Sequence, residues 1–195
     1  FVTKKKTPLI GGIIALFSLF QLKFYNNIDL FFFYSFAIFV LGFLSDVKKL
    51  NSPSLRFIFQ LLIVTICIYS LDIVLVSTRI IFLDYLLSNH LFGIFFTSYC
   101  VLIIVNGTNF IDGINSLAIG YYILISAALL FLHNNGLIIS LNFNISLFIF
   151  SLIILYFLNL SGKLYLGDAG AYFLGFLFGI ELIDFYLNNL KISPF

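Results

Sequence analysis

The stretch NGTNFIDGINSL, from Asn106 to Leu117, decides the fold, because it sets a dense run of polar residues between two long apolar stretches. Its amide, hydroxyl and carboxylate side chains are flanked by Leu, Ile, Val, Phe and Tyr. Polar groups left bare in hydrocarbon cost several kcal/mol each. The stretch therefore lies at a membrane surface or lines a polar cavity, and it is the first place to look for chemistry.

The composition of the 195-residue chain identifies an integral membrane protein. The chain is 62% hydrophobic and only 9% charged, with a mean hydropathy of +1.16. So few charges cannot cover a water-soluble domain of this length, so the apolar surface must face lipid. The net charge of +2 and the scattered basic residues give no reason to expect nucleic acid as a partner.

Seven apolar runs are long enough to cross a bilayer as helices. The predicted fold is an all-α, polytopic membrane helical bundle with about seven transmembrane helices, forming a single domain over residues 1–195. The runs are placed near Pro8–Tyr25, Asp29–Ser45, Ser54–Asp72, Ser88–Val105, Asn115–His133, Ile138–Asn159 and Ala169–Leu187.

Two further patterns concern packing and loops. The segment Ile73–Leu87 has two β-branched halves around a polar centre, which fits a small β-hairpin on the extracytoplasmic side; an irregular interfacial loop fits almost as well. In the last run, Ala171, Gly175 and Gly179 recur at four-residue spacing, which indicates close helix packing.

The crossings put four polar segments on one side of the membrane: residues 3–7, 45–53, 106–116 and 160–170. Most basic residues lie on that side, namely Lys4, Lys5, Lys6, Lys48, Lys49, Arg56 and Lys163. The basic residues on the opposite side are Lys23, Arg79 and Lys191. Cytoplasmic loops are richer in Lys and Arg, so we expect the four polar segments to be cytoplasmic.

Each of the three later cytoplasmic segments carries one aspartate: Asp46, Asp112 and Asp168. Three loops with one carboxylate each can converge on a divalent cation, or on phosphate held through that cation. The alternative is that the aspartates only cap helix ends. Gly167 and Gly170 flank Asp168 at a predicted helix start, where small residues let an anion reach backbone amides.

Four motifs then resemble a known family: KKKTPLIGGI near the start, GFLSDVKKL at Gly42–Leu50, NGTNFIDGINSLAIG at Asn106–Gly120 and YLGDAGAYFLG at Tyr165–Gly175. They are similar to the signature loops of the polyprenyl-phosphate N-acetylhexosamine-1-phosphate transferases of glycosyltransferase family 4. Undecaprenyl-phosphate GlcNAc-1-phosphate transferase and phospho-MurNAc-pentapeptide transferase are relatives of this kind.

The resemblance implies a reaction. A UDP-N-acetylhexosamine gives its sugar phosphate to polyprenyl phosphate, usually undecaprenyl phosphate, which yields polyprenyl-diphosphate-sugar and UMP. It also implies Mg²⁺, or Mn²⁺ in its place, as cofactor. The protein would be a multi-pass protein of the bacterial inner membrane that serves an envelope glycan such as lipopolysaccharide or peptidoglycan.

The resemblance also implies roles for the acidic and amide residues. Asp168 matches the family's magnesium ligand, and Asn109 matches an asparagine that shares the same ion. Asn115 occupies the position that recognises uracil. Asp112 matches an aspartate that supports the ion or the diphosphate. Asp46 matches the second member of an aspartate pair, and this second aspartate acts near the lipid phosphate as a base or as an orienting group.

The resemblance also concerns two lysines, and the chain departs from the family pattern at two serines. Lys49 falls at a position able to hold phosphate, with Lys48 as the second choice. Ser45 stands where the first aspartate of the pair is usual, and Ser116 replaces a common glycine. Family members have about ten spans, so we expect the chain to lack the first span and the last ones.

Two rival hypotheses remain at this point. One is an inactive fragment of such an enzyme. The other is a transporter with a pathway lined by Asp46, Asp112 and Asp168, which would require acids at mid-depth of the spans. Lipid-facing helices leave room for a homodimer, although no residue singles out an interface.

Overall fold

A computed structural model describes residues 11–19, 28–137 and 145–189. Within these residues the protein is all-helical and contains no strand. Its helices are α1 (Gly11–Leu19), α2 (Ile28–Asp46), α3 (Pro53–Leu71), α4 (Ile81–Leu87), α5 (His90–Ile111), α6 (Leu117–Asn134), α7 (Ile145–Leu160) and α8 (Gly167–Asn188).

The helices follow the predicted apolar runs, since each of the seven runs overlaps one of them. In the part of the chain that the structure describes, four helices are long and apolar enough to cross a membrane, namely α3, α5, α6 and α8. The described apolar stretches of α2 and α7 are shorter. The class of fold, a membrane helical bundle, is thus confirmed, while the number of seven spans stays a prediction. The first and sixth runs lie partly outside the described residues.

The β-hairpin predicted between Ile73 and Leu87 is wrong. Residues 73–80 are non-helical and pair with no strand among the described residues, and residues 81–87 form α4. The β-branched residues here pack on a helix instead. Val74 is buried against Gly93 of α5, and the Leu75 amide donates to the Thr97 hydroxyl at 3.0 Å.

Helix α8 is the centre of the bundle. It packs against α1, α2, α5 and α6, and 72% of the residues in its spanning stretch are buried inside the protein. One apolar cluster joins its Phe173 and Phe178 side to α1, α6 and α7. A second cluster joins its Tyr172 and Phe176 side to α2, α3 and α5. The two clusters fix α8 from both sides, and its N-terminus is held with it.

Glycines bring the neighbouring helices unusually close to α8. A Cβ on Gly42 of α2 would lie 2.5 Å from the Asp168 carbonyl oxygen, and one on Gly175 would lie 2.7 Å from Val105 Cα of α5. Real Cβ atoms do not approach other atoms so closely. The packing role predicted for the small residues of the last run is therefore confirmed for Gly175.

The chain directions bring several helix ends to the same end of the bundle. Helices α2 and α5 end where α3, α6 and α8 begin. Helix α3 has 19 residues and so is about 28 Å long, close to the roughly 30 Å of a bilayer core. Residues 72–89, which join α3 to α5, therefore lie at the opposite end. There the Tyr186 hydroxyl donates to the Ser77 carbonyl at 3.0 Å.

Candidate active site

The site is built on the N-terminus of α8. The two carboxylate oxygens of Asp46 accept hydrogen bonds from the amides of Asp168 at 2.9 Å and Ala169 at 3.0 Å. The first amides of a helix have no partner inside the helix, and they form its positive end. Gly167 has φ +73°, and a Cβ there would lie 2.7 Å from Asp46 Oδ2. Glycine thus lets the carboxylate reach the helix start.

The Asp168 carboxylate is held from the other side. Its Oδ2 accepts from the Ser45 hydroxyl at 2.5 Å and from Arg56 Nη1 at 2.9 Å. Arg56 Nη1 also donates to Ser45 Oγ at 2.7 Å and to the Tyr172 hydroxyl oxygen at 3.3 Å. The Arg56 and Asp168 side chains are 22% and 27% exposed, so this ion pair is partly shielded from water.

Arg56 is a site residue that the sequence reasoning missed, since it was counted there only as one of the cytoplasmic charges. It lies in the first turn of α3, which begins at Pro53 and is capped by the Ser52 hydroxyl. A single arginine one turn inside an otherwise apolar helix is the signal that could have found it. Such a charge needs a partner when it is partly buried.

Asp112 caps the C-terminal end of α5 and lies close to the other two aspartates. Burial, together with the negative charges of Asp168 and Asp46, raises the pKa of Asp112 to about 7. No described residue donates a hydrogen bond to its carboxylate. The structure thus brings Asp46 and Asp168 into one network and places Asp112 within electrostatic range of both.

The carboxylates alone do not form a metal cage. Among residues 11–19, 28–137 and 145–189, no three His, Cys, Asp or Glu side chains are arranged to hold an ion together. Mg²⁺ at phosphate sites, however, is commonly bound by one or two carboxylates plus substrate oxygens. Asp168 Oδ1 and the Asp112 carboxylate have no hydrogen-bond donor among the described residues, so the donor set fits this smaller requirement.

The predicted amide residues lie on or next to the end of α5. Asn109 is partly exposed and lies three residues before Asp112, so the two share one side of the helix. Asn115 is exposed in the turn that leads to α6. It lies at the edge of a cavity of about 770 Å³ between α6 and α7, which Tyr121 and Tyr156 also line.

Ser116 and Asn159 fix that turn. Ser116 is buried with φ +66°, a left-handed conformation that serine seldom adopts. Its amide donates to Asn159 Oδ1 at 2.5 Å, and its hydroxyl to the same oxygen at 3.1 Å. The Asn159 amide in turn donates to the Leu164 carbonyl at 3.2 Å, in the loop before α8. Asn159 therefore ties two site loops together, and sequence reasoning missed it as well.

The two predicted lysines are near the site but outside its hydrogen-bond network. Lys48 and Lys49 are exposed in the turn that ends α2, and Lys48 has φ +59°. Their backbone amides bond back to Ser45 and Leu44 of α2. Their side chains make no hydrogen bond to any described residue, and so they are available to an anion that enters from water.

The fold and the site together define a class of protein: a membrane-embedded helical protein with carboxylates, an arginine and a helix N-terminus gathered at one end of the bundle. The sequence model of glycosyl transferase family 4 matches residues 28–186. The chain belongs to glycosyl transferase family 4, and it is a membrane transferase. No curated protein matches its sequence.

Proposed function

We propose that the protein transfers N-acetylhexosamine-1-phosphate from a UDP-sugar to undecaprenyl phosphate or another polyprenyl phosphate, releasing UMP. The observation that carries this proposal is the network at the start of α8, where Asp46, Asp168 and Arg56 meet next to Asp112. Family membership supplies the transferase class. A lipid acceptor is consistent with a site at the end of membrane-spanning helices.

The reaction brings two anions together, so the site has to offset phosphate repulsion and hold the groups in line. In this proposal Lys49, with Lys48 as second choice, binds the lipid phosphate. Arg56 keeps the Asp168 carboxylate in place. Both carboxylate oxygens of Asp46 already accept hydrogen bonds from amides of α8. This supports an orienting role for Asp46 over the role of general base.

Mg²⁺, or Mn²⁺, would be held by Asp168 with oxygen atoms of Asp112 or Asn109. When bound, it supplies positive charge between the donor diphosphate and the acceptor phosphate. Asn115 lies at the edge of a cavity with two tyrosines, Tyr121 and Tyr156. An exposed amide beside aromatic rings suits recognition of a flat base such as uracil by hydrogen bonding and stacking.

We place this end of the bundle on the cytoplasmic side of a bacterial inner membrane. Of the described basic residues, Lys48, Lys49, Arg56 and Lys163 belong to the end that carries the carboxylates, while Arg79 belongs to the other end. This asymmetry supports the orientation by the positive-inside rule. A soluble UDP-sugar would reach the site from that side, for envelope glycan synthesis.

The test measures UMP release and lipid product by mass spectrometry in membranes that contain the protein, supplied with Mg²⁺, polyprenyl phosphate and a panel of UDP-sugars. We expect one UDP-N-acetylhexosamine to give a polyprenyl-diphosphate-sugar. Asp168→Asn and Asp112→Asn should abolish the product. Asp72→Asn is the matched control, since Asp72 is an exposed left-handed residue at the opposite end, where asparagine fits equally well.

The outcomes separate the rival hypotheses. Product from the native chain and from Asp72→Asn, with none from the two site variants, supports the transferase. Normal UMP release from Asp168→Asn and Asp112→Asn would refute the site. No product with any donor would favour an inactive fragment, and uptake of solute into proteoliposomes without UMP release would favour a transporter.

A further inference from the structure

The segment between α3 and α5 exposes a strongly apolar face at the end of the bundle opposite to the carboxylates. On α4, the side chains of Ile81, Phe82 and Tyr85 are 91%, 70% and 77% exposed. Positions 81, 82 and 85 fall on one side of a helix, because residues four apart lie one turn apart. Contact between this apolar surface and water would be unfavourable.

The face belongs to a fixed element of the structure. Leu87 of α4 is buried, and Val74, ahead of the helix, packs on Gly93 of α5. The Leu75 amide is bound by Thr97 of α5, and the Ser77 carbonyl accepts from Tyr186 of α8. These contacts anchor the segment to two spanning helices, so the orientation of α4 relative to the membrane follows from theirs.

The polar groups of the segment are turned toward its own loop. The Asp84 carboxylate accepts hydrogen bonds from the Ser77 hydroxyl at 2.8 Å and from the Thr78 amide at 2.6 Å and hydroxyl at 2.9 Å. It also accepts from the Arg79 amide at 3.1 Å. The one acid of α4 therefore has its partners in the preceding loop, and the Ile81, Phe82 and Tyr85 face carries no charge.

From this arrangement we infer that α4 lies in the lipid–water interface of the leaflet opposite to the active site and inserts Ile81, Phe82 and Tyr85 among the acyl chains. Helices α3 and α5 are long enough to span the bilayer, so the segment that joins them meets the bilayer surface. Amphipathic helices bind at this depth through their apolar face, and tyrosine is favoured at the interface. This inference rests on the membrane fold and is independent of the proposed reaction.

Tryptophan fluorescence tests the inference directly, because the native chain contains no tryptophan. Phe82→Trp puts a single fluorophore on the α4 face. Phe150→Trp, at an exposed position within α7, marks the bilayer interior, and Asn51→Trp, in the exposed turn between α2 and α3, marks water. Each variant is reconstituted in vesicles of phosphatidylcholine brominated either near the headgroup end or near the middle of the acyl chains, and is titrated with iodide.

We expect Phe82→Trp to emit at shorter wavelength than Asn51→Trp and to lose more fluorescence to the shallow bromines than to the deep ones. Phe150→Trp should show the reverse order, and Asn51→Trp should respond mainly to iodide. Adding Ile81→Ser and Tyr85→Ser to Phe82→Trp should increase its quenching by iodide. Unchanged circular dichroism shows that each variant keeps its helices.

Two results would overturn the inference. One is iodide quenching of Phe82→Trp equal to that of Asn51→Trp with no response to brominated lipid, which would place α4 in water. The other is protection from both quenchers that disappears when the protein is diluted with lipid, which would show that a second copy of the chain covers the face.

Discussion

Replacing Gly42 with alanine tests the contact on which the site depends. The added Cβ would lie 2.5 Å from the Asp168 carbonyl oxygen and 2.6 and 2.7 Å from Cα and N of Ala169. These are backbone atoms that cannot rotate away. Ordinary contact begins at 3.4 Å, so α2 and α8 would have to separate by about 0.9 Å. The bonds from Asp46 to the α8 amides would then lengthen to about 3.8 Å, beyond hydrogen-bond range.

The expected loss combines two costs and one gain. Overpacking costs about 1–3 kcal/mol, and loss of the carboxylate cap costs about 0.5–2 kcal/mol. Alanine returns about 1 kcal/mol of helix propensity. We therefore expect Gly42→Ala to lower the free energy of unfolding by about 0.5–4 kcal/mol. The assay is unfolding in mixed detergent micelles followed by circular dichroism, together with UMP release.

Gly107→Ala is the matched control, because Gly107 is also helical and a Cβ there meets nothing within 4 Å. It should gain up to about 1 kcal/mol of stability from helix propensity and keep its rate of UMP release. If Gly42→Ala is as stable as Gly107→Ala, the close approach of α2 to α8 does not exist in the folded protein, and the placement of Asp46 at the start of α8 is wrong.

Three further predictions concern the network and its loops. Arg56→Met should destabilise the protein by about 2 kcal/mol, because the partly shielded Asp168 carboxylate loses its charged donor; Arg56→Lys, which keeps the charge, should lose less in the same unfolding assay. Asp112→Asn should become more stable relative to the native chain as the pH rises from about 4 to about 7, because the raised pKa means that ionising Asp112 costs more in the folded state. The free energies of unfolding of the two proteins are compared in EDTA, and a difference between them that shrinks with rising pH would contradict this. Asn159→Leu should cost about 1–3 kcal/mol by leaving the buried Ser116 amide without an acceptor, and unchanged thermal unfolding would refute the role of Asn159 in the turn.

Hydropathy predicted the helices well because a bilayer demands long apolar runs with every backbone group bonded internally. Hydropathy does not predict the structure of residues 73–87, because they lie at the end of the bundle, where both strands and short helices are allowed. The β-branched residues of this segment indicated a hairpin, but its structure is fixed by contacts with α5: Val74 packs on Gly93, and the Leu75 amide donates to Thr97. The segment satisfies its backbone and buries its apolar side against α5, a tertiary contact that no local pattern contains.

Part of the site could be predicted because loop order alone puts Asp46, Asp112 and Asp168 at one end. The hydrogen-bond partners of these aspartates could not be predicted, because counting charges assigns residues to sides of the membrane and does not show which side chains pair. Arg56 was therefore counted for topology, although it donates to Asp168. Asn159 was hidden for a similar reason. It belongs to an apolar run by composition, and its function appears only when the left-handed Ser116 needs an acceptor.

The serine at position 45 changes the charge balance of the network. The family resemblance leads to an aspartate there, and a carboxylate at that place would lie within hydrogen-bond distance of Asp168, two like charges with Arg56 between them. Ser45 instead donates to Asp168 Oδ2 while it accepts from Arg56. One negative charge is removed, and the remaining carboxylate gains a donor. In this chain the Asp168 carboxylate is therefore held by a hydroxyl and a guanidinium, and Asp46 is the one acid at positions 45 and 46, where it accepts the first amides of α8.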